Sequence, residues 1–157
     1  MHDLEQQSIT LLVADDDADD RQLVKEALEE IFLAGNLRFV EDGEELMNYL
    51  RGKGKYDEPV SCPRPALIFL DLHMPKKNGY EALKEIKSDP DLRQIPVVIL
   101  TTSKSQKDIY QSYDLGANSF ISKPSMFGEL VVVMRCLGRY WAEIVKLPLE
   151  NSHVLEV

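Results

Sequence analysis

The sequence predicts one α/β domain, a five-stranded parallel sheet doubly wound by five helices. Three observations carry that reading. The chain has 157 residues, the size of one domain. Short apolar runs alternate strictly with amphipathic stretches along it. Runs such as Ala66–Leu70 are apolar at every position, so helices must cover both faces of the sheet.

Ile9–Ala14 is the first strand and ends in an acidic cluster. Asp19–Leu33 reads as a helix with Leu23, Ala27 and Ile31 on one face, stopped by Gly35-Asn36. Leu37–Val40 is the second strand. Gly43–Arg51 is a short helix with Leu46, Tyr49 and Leu50 as its apolar side. The glycines, prolines and three basic residues of Gly52–Pro65 make a loop. Ala66–Leu70 is the third strand, and Asp71–Asn78 is a loop broken by Pro75. Gly79–Lys87 is a helix with Leu83 and Ile86 inward, ended by Ser88-Asp89-Pro90. Val97–Leu100 is a strand led in by Pro96. Ser103–Leu115 is a helix, with Ser103 and Gln106 as a capping box and Gly116 as its stop. Ser119–Ser122 is the last strand and Ser125–Val145 the last helix. Residues 1–148 form the domain; 149–157 are a flexible tail too short to fold.

Composition excludes several classes. Hydrophobic residues make up 44% and charged residues 29%, so a packed core is expected and global disorder is not. The net charge of −9 repels phosphate backbones and anionic lipid, which argues against nucleic-acid and membrane-surface binding. No apolar run approaches a membrane span, and the polar, acidic start lacks a signal pattern. Cys62 and Cys136 make no disulfide framework and fit reduced thiols in the cytoplasm.

In a doubly wound sheet, ligands bind at the carboxyl ends of the strands. Asp15, Asp16 and Asp17 follow the first strand, Asp71 the third, Thr101 and Thr102 the fourth, and Lys123-Pro124 the fifth. Carboxylates gathered there repel one another, and a hard divalent cation, Mg²⁺ or Mn²⁺, relieves the repulsion. A lysine supplies a point charge for an anion and a threonine adds a hydroxyl donor. Such a pocket suits a phosphoryl group, with one Asp free to act as nucleophile.

Four stretches then resemble the response regulator receiver domain of two-component signalling, a CheY-like fold. They are LLVADDD at 11–17, LIFLDLHMPKKNGYEALKEIK at 67–87, IPVVILTTS at 95–103 and LGANSFISKP at 115–124. The resemblance implies that Asp71 accepts a phosphoryl group from the phosphohistidine of a sensor histidine kinase. It implies Asp16, Asp71 and the His73 carbonyl as direct metal ligands, with Asp15 ligating through water or orienting the metal. It gives Lys123 to a phosphoryl oxygen, Thr101 to the phosphoryl group once present, and Phe120 to the aromatic switch position. It also implies a cis bond before Pro124 and no turnover beyond self-phosphorylation and self-dephosphorylation. The Gly52–Pro65 loop, the Leu100–Ser103 segment and the RYWAEIVKLP ending are similar to the stand-alone regulators that partner bacterial and cyanobacterial phytochromes.

The chain departs from the family pattern at Phe120, which lacks the commoner tyrosine hydroxyl, at His73 and in its long loop. The last helix carries two apolar lines, where docking on a sheet needs one. Leu130, Met134, Leu137 and Trp141 form the first; Val132, Cys136, Tyr140 and Ile144 form the second. The second is expected to serve a homodimer through the fourth helix, fifth strand and fifth helix. A haloacid-dehalogenase-type phosphatase using Asp71 as nucleophile is the rival reading, yet such enzymes want an acid where His73 stands. A nucleotide-binding module lacks its glycine motif, and a purely dimeric scaffold leaves the acids unexplained.

Overall fold

A computed structural model describes residues 9–32, 36–58 and 62–148. Five parallel strands, β1 (Leu11–Ala14), β2 (Leu37–Val40), β3 (Leu67–Leu70), β4 (Val97–Thr101) and β5 (Ser119–Ser122), lie in the order β2-β1-β3-β4-β5. The helices are α1 (Ala18–Leu28), α2 (Gly43–Arg51), α3 (Gly79–Ser88), α4 (Gln106–Asp114) and α5 (Phe127–Arg139). The expected fold is therefore observed, and its strands explain their own composition. Leu12 and Ala14 of β1 enter one core, together with α2 and α3, while Leu11 and Val13 enter the other, with α1 and α5. Successive side chains point to opposite faces, so a strand between two cores is apolar throughout.

Local chemistry sets the helix ends. The Asp17 carboxylate accepts the Asp19 and Asp20 N–H groups and starts α1. Asp42 caps α2 through the Glu45 N–H, and Gly52 ends it at φ 63°, in the left-handed region. Asn78 and Glu81 form a reciprocal capping box on α3.

Several boundaries differ from the sequence reading. The first helix ends at Leu28, where the Ile31 and Phe32 N–H groups both bond to the Leu28 carbonyl and tighten the turn; Leu33 and Gly35 lie outside the described residues. Helix α4 is capped by Ser105, which accepts the Asp108 N–H, because the Ser103 hydroxyl is engaged by the Asp108 carboxylate instead. The Gly52–Pro65 loop contains a 3₁₀ turn at Gly54–Tyr56. Tyr56 closes it by donating to Glu45 and tilting against the Tyr49 ring at 5.1 Å. Every described peptide bond is trans, including Lys123–Pro124, where the expectation was cis; at an X–Pro bond the two isomers differ by only about 0.5–1 kcal/mol.

The last helix begins at Phe127 and passes at Tyr140 into a π turn, Tyr140–Ile144. Its buried residues are Leu130, Met134, Gly138 and Ala142, so the inward line shifts from the expected Leu137 and Trp141, which are half-buried. Gly138 is the cause. A Cβ there would lie 2.5 Å from Leu28 Cδ2, so the missing side chain lets α1 and α5 close on each other. Val132, Tyr140 and Ile144 remain 59%, 49% and 68% exposed, and Cys136 is exposed beside them.

Two glycines clamp the loop after β3. The Gly43 N–H bonds to the Lys77 carbonyl at 3.0 Å, and a Cβ at Gly43 would sit 2.1 Å from that oxygen. The Gly79 N–H bonds to the Leu72 carbonyl at 2.9 Å, and a Cβ at Gly79 would sit 2.3 Å from the Asp71 carbonyl. Neither backbone neighbour can yield cheaply. Gly79→Ala is therefore expected to cost about 1–3 kcal/mol of stability, read from the urea midpoint at unchanged m-value; an unshifted midpoint would mean the loop is not wedged.

Candidate functional site

The sheet order brings the carboxyl ends of β1, β3 and β4 side by side, with β5 beyond β4. Backbone hydrogen bonds extend the ladder into the site. The Asp15 N–H reaches the Val40 carbonyl at 3.1 Å, the Asp71 N–H the Ala14 carbonyl at 3.0 Å, and the Lys123 N–H the Thr101 carbonyl at 2.6 Å. Each functional side chain thus stands on a residue fixed by a neighbouring strand.

The centre is the Lys123 ammonium. Its Nζ lies 2.6 Å from Asp15 Oδ2, 2.9 Å from Asp20 Oδ2 and 3.2 Å from Asp71 Oδ2. Lys123, Asp15 and Asp71 are all buried. A lone buried charge costs several kcal/mol, so this set persists only because its members compensate one another. Burial by itself would push the lysine down, but the charges of Asp71 and Asp15, with hydrogen bonds to Asp15 and Asp20, hold it above the ordinary lysine range. Burial pushes the Asp15 carboxyl up despite the neighbouring ammonium.

The second oxygens are occupied as well. Asp15 Oδ1 accepts the Asp17 N–H at 2.9 Å, and Asp71 Oδ1 accepts the His73 N–H at 3.1 Å. One ammonium cannot balance four carboxylates, counting the exposed Asp16. Asp15, Asp16 and Asp71 each offer an oxygen, all within 4.8 Å of one another. A compact set of carboxylate oxygens with excess negative charge is the donor chemistry a hard divalent cation requires, so the residues present fit Mg²⁺ or Mn²⁺.

Thr101 is fully buried at the end of β4, its Oγ1 3.5 Å from the Ser103 N. Phe120 pairs with Ile99 and is half-buried against the α2–α3 core. A hydrogen-bond chain surrounds the segment after Thr101. Tyr80 from α3 and Ser103 both donate to the Asp108 carboxylate of α4, and the Ser122 hydroxyl donates to the Ser103 carbonyl at 2.8 Å.

The structure therefore brings together Asp15, Asp16, Asp71 and Lys123, as the sequence indicated. Thr101 stands at the same edge. The His73 side chain is exposed, and only its N–H engages Asp71. Asp20 was missed. The acids of this segment read as helix caps, and nothing local signals a bond to a lysine 103 positions away.

The receiver-domain family profile matches residues 11–135. Response regulator Rcp1 of Synechocystis sp. is 41% identical over 140 residues, covering 89% of this chain and 92% of that protein. The phosphorylated cyanobacterial phytochrome response regulator RcpA superposes with a TM-score of 0.85 at 40% identity, covering 90% of this chain and 99% of that one. The Mn²⁺-bound form of Rcp1 superposes with a TM-score of 0.83 at 38% identity, with the same coverages. Fold, acidic pocket and sequence agree: this chain belongs to the response regulator receiver domain family. It is a homologue of Rcp1, and the phosphatase reading finds no support. No helix among the described residues is long and apolar enough to cross a membrane.

Hydrogen bonds from Ser103 and Tyr80 hold the Asp108 carboxyl below the usual carboxylate range. A depressed carboxylate stabilises the fold above its unfolded pKa, about 3.9, and loses that contribution as pH falls through the folded value. Stability is thus expected to drop on acidification below about pH 4. The drop in Tyr80→Phe should be shallower in the same denaturation series; parallel curves would remove the tyrosine from this account.

Proposed function

We propose that the chain is a phosphoryl switch in which Asp71 is phosphorylated by a sensor histidine kinase. A carboxylate oxygen of Asp71 forms the new P–O bond. The N–P bond of the kinase phosphohistidine breaks, and the imidazole keeps that electron pair. The observation that carries this reading is the buried Asp71 carboxylate held 3.2 Å from the Lys123 ammonium at the carboxyl edge of the sheet. Lys123 is placed to exchange that bond for one to a phosphoryl oxygen. Asp15, Asp16 and Asp71, with the His73 carbonyl that the family resemblance adds, would hold the metal. Bound Mg²⁺ or Mn²⁺ supplies positive charge against the phosphoryl oxygens.

Phosphorylation turns the singly charged carboxylate into an acyl phosphate carrying roughly two negative charges, a net gain of about one, with new acceptor oxygens beside Thr101. The Thr101 hydroxyl turns toward them, and Phe120, half-buried next to Ile99, moves into the vacated space. With no phenolic hydroxyl, that motion is steric. It biases the face made by α4, β5 and α5, where output is read by protein contact. The only chemistry catalysed is the chain's own phosphorylation and dephosphorylation. The likeness to RcpA supports a phytochrome-type kinase as partner, in the cytoplasm. The exposed line Val132, Cys136, Tyr140 and Ile144 supports a homodimer.

Incubation with Mg²⁺ and acetyl phosphate should add one phosphoryl mass, and Asp71→Asn should take none. An adduct that survives in Asp71→Asn, or no adduct on the wild type with any donor, would defeat the reading. For the dimer, Val132→Lys with Ile144→Lys should reduce the sedimenting species to one chain; a wild type that already sediments as one chain would remove this use of the face.

A further inference from the structure

We infer that Asp20 is a positioning residue for phosphoryl transfer, holding the Lys123 ammonium so that one N–H stays directed at the Asp71 carboxylate. The inference rests on Asp71 being the acceptor. An ammonium has three N–H donors, and here three carboxylates take them. The donors are tetrahedrally disposed, so fixing two directions fixes the third. Asp15 and Asp20 provide the two shorter contacts, at 2.6 and 2.9 Å; the third, to Asp71, is the longest at 3.2 Å. The bond that must be exchanged when the phosphoryl group arrives is therefore the weakest of the set, and it can be surrendered without freeing the ammonium.

A lysine needs such help. Its side chain is long and flexible and carries a point charge with no built-in direction. Asp20 is well placed to give it. Its backbone N–H is bonded to Asp17 Oδ1 at 3.0 Å, in the capped first turn of α1, so its carboxylate stands on a fixed base. Its side chain is 19% exposed, far less than a solvated surface acid, while the adjacent Asp19 is exposed. The sequence assigned Asp20 no role beyond the cap region, and the cap belongs to Asp17.

Orientation and simple charge make opposite demands, so they separate by substitution. Asp20→Asn keeps an acceptor oxygen and removes the charge; Asp20→Ala removes both. If Asp20 orients the ammonium, phosphorylation by acetyl phosphate in saturating Mg²⁺ should stay within about threefold of wild type in Asp20→Asn and fall about tenfold to a hundredfold in Asp20→Ala. A second readout is independent of phosphorylation. The ¹⁵Nζ resonance of Lys123 should report a protected ammonium in wild type and Asp20→Asn, and a rapidly exchanging one in Asp20→Ala. A wild-type rate in Asp20→Ala overturns the inference. So does an Asp20→Asn as slow as Asp20→Ala, because charge alone would then be the contribution. If the wild type takes no phosphoryl group, the acceptor reading fails by itself, and the ¹⁵N signal still decides whether Asp20 holds the lysine.

Discussion

A cation buried among like-charged acids organises this molecule. Lys123 sits at the end of β5, yet its partners come from β1, from the first turn of α1 and from the end of β3. The ion pairs exist only when those segments are assembled, so the pocket and the tertiary structure form together. Energetically the arrangement is a liability unless completed, since removal of one member leaves another charge uncompensated away from water. That same incompleteness leaves the site short of positive charge. Four carboxylates against one ammonium leave negative charge in a confined space, which favours a small divalent ion and, with it, a phosphoryl group.

Around that centre the fold fixes backbones before it fixes side chains. Strand ends are tied across the sheet at Asp15, Asp71 and Lys123. The loop that follows Asp71 turns through Lys76 at φ 63° and is gripped between the starts of α2 and α3. The grip comes from glycines, whose missing side chains let main chain meet main chain.

Much of this was legible from the chain alone. Leu11–Ala14 and Leu67–Leu70 advertise a doubly covered sheet because no residue in them tolerates water, and that topology gathers Asp15, Asp71, Thr101 and Lys123 at one edge. What escaped notice is long-range or depends on competition. Asp20 resembles any acid of a first helical turn until Lys123 arrives from the far end of the chain. Ser103 has the look of a cap, but Asp108 claims its hydroxyl and Ser105 takes the vacancy. The π turn at Tyr140 follows a helix that Gly138 draws close to α1, and hydrophobic periodicity carries no mark of either event.

Asp108 collects hydroxyls from Tyr80 and Ser103, and Ser122 grips the carbonyl of that same serine. The junction lies two residues past Thr101 and ties three neighbouring elements, α3, α4 and β5, to one short loop. It works as a knot in a net: tugging any one strand tightens the others. The segment after Thr101 is therefore joined to α3, α4 and β5 by hydrogen bonds as well as by packing.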